Sequence, residues 1–351
     1  MRCGITGSNR RIDLDIAKGI GAILVVWAHI DGVFSEYINQ FHMPLFFFIS
    51  GILFSKNKEK SGSYVRRKIK AYLIPFWKYN FMFFPIFFLL YYRNDYELKI
   101  ALKWLGEILF TVNKVPFLGA TWFLASLFWI CIFYKLIYDF LERFPKRDLI
   151  LWGGAFIVLI VGLCTNLPYR QSRTLICSFF YVAGYLYEKY LSIRIKENSL
   201  LAGMSLLFFC IEARYNYVYL GSGEIKNKLM FVLGALAMTF FILFFSNKLR
   251  KCKLLLTKII VMIGEHSLDL LVWQFLAFRI AICIQIVVLG LETKALIAFP
   301  VYDSKGIWFV LYLLCGVYGS IMCQKIFDYF ECLIRSRGWR KMERNCNRYN
   351  I

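Results

Sequence analysis

Long apolar runs alternate with short polar segments along almost the whole chain. A membrane-crossing helix needs about 20 consecutive, mainly apolar residues. Runs at 14–30, 41–54, 71–92, 118–140, 149–164, 174–190, 198–213, 229–246, 263–288 and 307–333 reach or approach that length, which predicts ten spans. No stretch alternates with period two as a barrel strand does. The expected class is therefore an all-α polytopic membrane protein, a bundle of about ten transmembrane helices. The run at 41–54 is short and carries Pro44 and Gly51, so it is expected to be broken or partly re-entrant. The amphipathic stretch 98–112 is expected to lie at the membrane interface or cap the bundle.

Composition agrees with this pattern. Of 351 residues, 59% are hydrophobic and 19% aromatic, more apolar than soluble domains usually are. The formal net charge of +21 falls mainly in loops. With the N-terminus inside, segments 1–18, 56–70, 142–150, 189–198, 247–258 and 334–348 face the cytoplasm, and they hold well over half of the 43 lysines and arginines. That bias predicts both termini on the cytoplasmic side, with tails over about 1–13 and 334–351. No basic stripe lies on a soluble module, so the charge points to an anionic leaflet of membrane lipids and not to nucleic acid. The first run ends Trp27-Ala28-His29-Ile30-Asp31, without a small-x-small cleavage site, and reads as a retained span. No linker or repeat divides the chain, so residues 1–351 form one membrane domain. Eleven cysteines show no CxxC or other metal-ligand spacing, and Cys131, Cys210, Cys283 and Cys315 read as buried small hydrophobes.

Ionisable residues inside apolar runs carry the candidate chemistry, because membrane burial makes them expensive. Lys18 and His29 are eleven residues apart. That spacing puts them on one helix face, about 16.5 Å apart along the axis, with Ala22 and Val25 between. A cation near the cytoplasmic end and an imidazole near the outer end suit a long ligand with an anionic head. The alternative is a snorkelling lysine and an interfacial histidine. His42 opens the next run just before Pro44, as a functional imidazole or simply the first residue of a helix. Between the histidines lie Asp31 and Glu36. The set is too sparse for a metal site, and none is expected. Arg66 and Arg67 stand where the third run begins, suited either to phosphates or to setting topology. Ser267 or His266 is placed to cap the ninth span. Gln274 and Arg279 follow at membrane depth, with Glu212 a possible partner of Arg279 by depth.

Six stretches then converge on one family. "DIAKGIGAILVVWAH" (15–29), "FHMPLFFFISG" (41–51), "RRKIKAYLIPF" (66–76), "TWFLASLF" (121–128), "FFYVAGYL" (179–186) and "IGEHSLDLLVWQ" (263–274) resemble the acyltransferase-3 family of integral membrane O-acyltransferases, notably its fucose 4-O-acetylase-like branch. Lys18 stands where the family signature more often has arginine, eleven residues before the histidine. The resemblance implies His29 as the catalytic residue and Lys18 as its partner or a donor-site residue. It implies acetyl-CoA as cytoplasmic acyl donor, with Arg66 and Arg67 in a donor-side basic motif. The implied acceptor is a glycan or lipid-linked sugar, at a site expected to draw on His42, Asp31, Glu36, Trp122, Gln274 and Arg279. Gln274 stands where the family often has histidine, which leaves it a hydrogen-bonding role. The expected location is the cell (inner) membrane. The rival reading is a multi-span transporter or flippase of a lipid-linked sugar or small solute. It predicts inverted repeats, and the Lys18–His29 pattern has no second copy.

Overall fold

The computed structural model describes residues 10–30, 32–55, 59–91, 98–112, 114–165, 167, 171–219, 224–252 and 254–346. In chain order the helices are α1 (Ile12–His29), α2 (Ser35–Asn39), α3 (His42–Ser55), α4 (Ser61–Lys68), α5 (Ile74–Tyr91), α6 (Leu98–Leu109), α7 (Trp122–Phe140) and α8 (Arg147–Cys164). They continue with α9 (Gln171–Leu186), α10 (Ser192–Ile195), α11 (Ser199–Tyr215), α12 (Lys228–Leu249), α13 (Leu255–Glu265), α14 (Ser267–Leu289), α15 (Ile307–Leu314) and α16 (Ser320–Cys346). A two-residue antiparallel pair, β1 (Val218–Tyr219) with β2 (Glu224–Ile225), closes the turn between α11 and α12.

Among the described residues the protein is all-α apart from that hairpin. Among the same residues six helical stretches are long and apolar enough to cross a membrane: Ser35–Ser55, Leu118–Arg143, Arg147–Cys164, Lys228–Leu249, Ser267–Leu289 and Ile307–Leu333. α1, α5, α9 and α11 also fall on predicted runs, but they are shorter or carry more polar residues.

Two expectations about span shape are corrected. The run at 41–54 is one uninterrupted helix, α3. Pro44 sits in its first turn, where a missing N–H breaks no helical bond. The run at 263–288 is two helices, broken between Glu265 and Ser267. Neither His266 nor Ser267 makes a side-chain cap there. Instead, His266 Nδ1 pairs with Asp269 Oδ2 at 2.7 Å. Cys210 and Cys283 are exposed on the outer faces of apolar helices, whereas Cys131 is buried as expected.

α1 is the hub. It packs against α2, α3, α12, α13, α14 and α15, which explains how a helix with several charged residues is tolerated: protein, not lipid, surrounds it. Close approach to α13 depends on two glycines. A Cβ on Gly19 would stand 2.1 Å from the Ile260 carbonyl oxygen, and one on Gly264 would stand 1.9 Å from that of Asp15. The long α3–α9 contact is built the same way. Gly51 faces the Tyr181 carbonyl and Gly184 faces that of Phe48, with would-be Cβ distances of 1.8 and 2.0 Å. Small residues that let helix backbones touch are the usual device for association where lipid gives no hydrophobic drive.

Candidate active site

His29 is the last residue of α1. Its Nδ1 lies 2.7 Å from the Val25 carbonyl oxygen one turn back. A carbonyl only accepts, so Nδ1 carries the proton and Nε2 keeps the lone pair. The Phe275 ring meets the imidazole edge-on at 4.8 Å. Nε2 has no hydrogen-bond partner among the described residues. His29 is half-buried, so its ring is not fully enclosed by the bundle.

His42, the first residue of α3, repeats the arrangement. Its Nδ1 lies 2.8 Å from the Ile38 carbonyl, again leaving Nε2 as the basic nitrogen. It is buried. His29 ends α1 and His42 begins α3, so the short α1–α3 connection sets both histidines at the same end of two helices that pack together. Glu36 is exposed on α2, and Asp31 lies outside the described residues. Among the described residues no three His, Cys, Asp or Glu side chains gather as a metal site.

Gln274 precedes the phenylalanine that braces His29. It is fully buried, and among the described residues neither its amide oxygen nor its nitrogen has a partner. An orphaned buried amide costs roughly 1–3 kcal/mol, so this position calls for a polar ligand or water. Arg279, one and a half turns on, donates to the Leu296 carbonyl at 2.7 Å and to that of Ala298, and it lies over the Phe299 ring. It ties down the loop after α14. It does not meet Glu212, which accepts from Asn216 Nδ2 at 2.6 Å and packs against Gly234. The pairing suggested by depth is therefore corrected.

The other end of α1 is a network of compensated charge. Lys18 Nζ pairs with Asp15 at 2.7 Å, and Asp15 also takes Arg10 at 2.8 Å. Arg11 bridges Asp13 and Glu188, and Lys196 reaches Asp13 at 2.9 Å. The start of α1 and the end of α3 lie at the same end of the bundle. Arg11 meets Glu188 just past α9, while Phe54 packs on Tyr185 near the end of α9. α4, which begins six residues after α3 ends, brings Arg66 and Arg67 to this end. Arg66 is exposed. Arg67 is also exposed but binds Glu59 at 2.7 Å and lies over the Tyr64 ring. Sequence reasoning missed their neighbour Lys68, whose ammonium sits over the rings of Tyr64 and Tyr72 at 5.2 and 4.9 Å. Its spacing, one turn after Tyr64 and one before Tyr72, was the available signal.

A cleft of about 630 Å³ opens near the start of α7. Trp122, Trp129, Lys114, Gln171, Arg173 and Thr174 are among its walls, and the Arg173 guanidinium lies 4.2 Å above the Trp122 ring. The segment leading into Trp122 is pinned by Asn80 of α5, which the sequence did not single out. Asn80 Oδ1 accepts from Val115 N at 2.8 Å, and Nδ2 donates to the Phe76 carbonyl at 2.8 Å. Within the pinned segment, Gly119 packs on Phe275, which leaves little room for a Cβ (3.1 Å). Asn80 therefore supports the Phe275 ring that holds His29. Asn80→Ala is expected to leave the Val115 N–H buried and unpaired, at a cost of roughly 1–3 kcal/mol. A lower melting temperature together with reduced turnover checks this; unchanged turnover contradicts it.

A family model described as an acyltransferase domain, that of the acyltransferase-3 family, matches residues 11–323, nearly the whole chain. No curated protein and no solved structure matches. The matched span contains both histidines, Gln274 and the charged start of α1. The chain belongs to the acyltransferase-3 family and is a multi-pass membrane acyltransferase.

Proposed function

We propose that this protein is an O-acetyltransferase of the fucose 4-O-acetylase-like kind. It takes acetyl from cytoplasmic acetyl-CoA and passes it to a hydroxyl of a cell-surface or exported glycan, or of a lipid-linked sugar. The observation that carries this reading is the setting of His29: Nδ1 hydrogen-bonded to a backbone carbonyl, which leaves Nε2 as the basic nitrogen, unpartnered among the described residues. In this reading Nε2 takes the proton from the acceptor hydroxyl as its oxygen attacks the thioester carbonyl. The C–O bond forms, the C–S bond breaks, and the thiolate of CoA leaves and takes up the proton. General-base help of this kind is worth roughly 10²–10⁴-fold. His42 orients the acceptor or its proton. The Gln274 amide, orphaned without a ligand, supplies a hydrogen bond to the reacting groups.

Lys18, Arg66, Arg67 and Lys68 serve the donor end, where the CoA phosphates meet cations. In this topology ten spans place both termini and that end in the cytoplasm of a cell whose inner membrane holds the protein, with His29 and His42 toward the outside. Arg66, exposed and with no partner of its own among the described residues, is the cation most available to a phosphate. Arg66→Gln is expected to raise KM for acetyl-CoA several-fold with little change in kcat, an effect that shrinks as salt is added. Initial rates across acetyl-CoA concentration and ionic strength test this. A fall in kcat at constant KM goes against a donor-binding role.

A further inference from the structure

Two groups fix the His29 imidazole: the Val25 carbonyl at Nδ1 and the Phe275 ring edge-on. Phe275 is buried and is itself held from two directions. Gly119 packs on it from the segment before α7, and the Phe299 ring lies against it with centroids 5.0 Å apart and planes tilted by 37°. Phe299 belongs to the loop between α14 and α15, and it is 46% exposed, so little besides the path of its own loop keeps it in place.

That path is set through the backbone. Arg279 stands one turn after Phe275 on the same face of α14. Its Nη1 donates to the Leu296 carbonyl at 2.7 Å and to the Ala298 carbonyl, just ahead of Phe299, and the guanidinium lies 5.9 Å from the centre of the Phe299 ring. Beyond Phe299, Gln285 Nε2 donates to the Asp303 carbonyl at 2.7 Å, and Gln285 Oε1 accepts from the Tyr312 hydroxyl at 2.5 Å. Side chains of one helix thus tie the loop down on both sides of Phe299. The side chain that meets Phe299 itself, Arg279, is the one nearer Phe275.

Resting on the general-base reading above, we infer that Arg279 is a positioning residue for His29: by holding the backbone at 296–298 it keeps Phe299 on Phe275, and so keeps the imidazole aimed. This differs from a role in binding the acceptor. A misplacement of about 1 Å at a reacting group can cost about 10²-fold, so the chain of contacts is long enough to weaken and short enough to matter.

The test uses full-length protein in detergent with isotope-labelled histidine. The chain has three histidines, so each ring resonance is assigned by its His→Gln variant. His266, paired with Asp269 at the start of α14, serves as the internal reference for an intact fold. Arg279→Gln is expected to shift or broaden the His29 ring resonances, through the changed ring current of Phe275, while those of His266 stay in place. Phe299→Leu, which leaves the backbone bonds of the loop intact, is expected to do the same, and it decides the matter if Arg279→Gln fails to fold. Arg279→Lys is expected to recover in part, since an ammonium still donates but lacks the planar fork. In acetyl transfer, both Arg279→Gln and Phe299→Leu are expected to lose about tenfold in kcat with KM for acceptor and acetyl-CoA little changed. Unmoved His29 resonances in the folded variants, unchanged kcat, or a raised acceptor KM at constant kcat overturns the inference. The resonances need no turnover, so a wild type that transfers no acetyl strikes only at the reaction proposed, and the His29 resonances still decide this inference.

Discussion

Replacing His29 with alanine is expected to lower acetyl transfer by roughly 10²–10⁴-fold in kcat, while the protein still accumulates in the membrane. The more discriminating variant is His29→Gln. A glutamine side chain can still donate to the Val25 carbonyl, so the local bond that ends α1 survives, but it has no basic nitrogen. If His29 were merely a structural residue, glutamine would restore much of the lost activity. If Nε2 is the base, glutamine should be as inactive as alanine. The pH profile gives a second readout. A general base acts unprotonated, so the wild-type rate should fall as the medium is acidified and the imidazole takes up a proton. The residual rate of His29→Gln should lack that acid limb. His42→Ala, by contrast, is expected to raise the acceptor KM more than it lowers kcat, since His42 neighbours the base without being it.

The largest effect on folding is expected at the α3–α9 seam. Leucine at Gly51 or Gly184 would force a Cβ to within 2.0 Å of a backbone oxygen on the facing helix. No side-chain rotation relieves a clash with backbone, so the helices must separate along a seam packed with Phe47, Phe48, Phe180 and Tyr181. Overpacking a well-filled core costs about 1–3 kcal/mol when neighbours can shift, and more when they cannot. Gly51→Leu and Gly184→Leu should therefore accumulate poorly and melt far below wild type in detergent. Gly153→Leu, whose added Cβ meets nothing within 4 Å, is the matched control on a neighbouring helix. Wild-type melting of Gly184→Leu would contradict the packing account.

These two results bear on how much could be read from the sequence. The apolar runs located the helices because length and hydropathy are local properties. The His29 position was equally legible, as a polar group at a set distance along one helix. Three things were not. The break between α13 and α14 lies inside a nearly continuous apolar stretch, and its signal was a short one: Glu265-His266, with Asp269 one turn on to take the imidazole. Arg279 finds its partners among loop carbonyls 17 and 19 residues away, whereas depth alone suggested Glu212. Depth ranks residues along the membrane normal and says nothing about which side of a bundle they occupy. In the sequence Gly51 points, with Pro44, to a broken run, and Gly184 and Gly264 are only letters within the quoted family stretches. Their physical reason, backbone-to-backbone contact with a facing helix, exists only in three dimensions. For the same reason Asn80 and Arg173 went unnoticed: each acts on a segment at least 35 residues away in sequence.

In the proposed reaction His29 moves the acceptor proton in a transfer from acetyl-CoA to a glycan hydroxyl. The most direct measurement incubates the purified full-length protein with acetyl-labelled acetyl-CoA and cell-envelope glycan, then follows label on the glycan before and after mild base. Base-labile label is expected with wild type, and at least about a hundredfold less with an equal amount of His29→Gln. Unlabelled glycan with active, folded wild type, or equal labelling by both proteins, would contradict it.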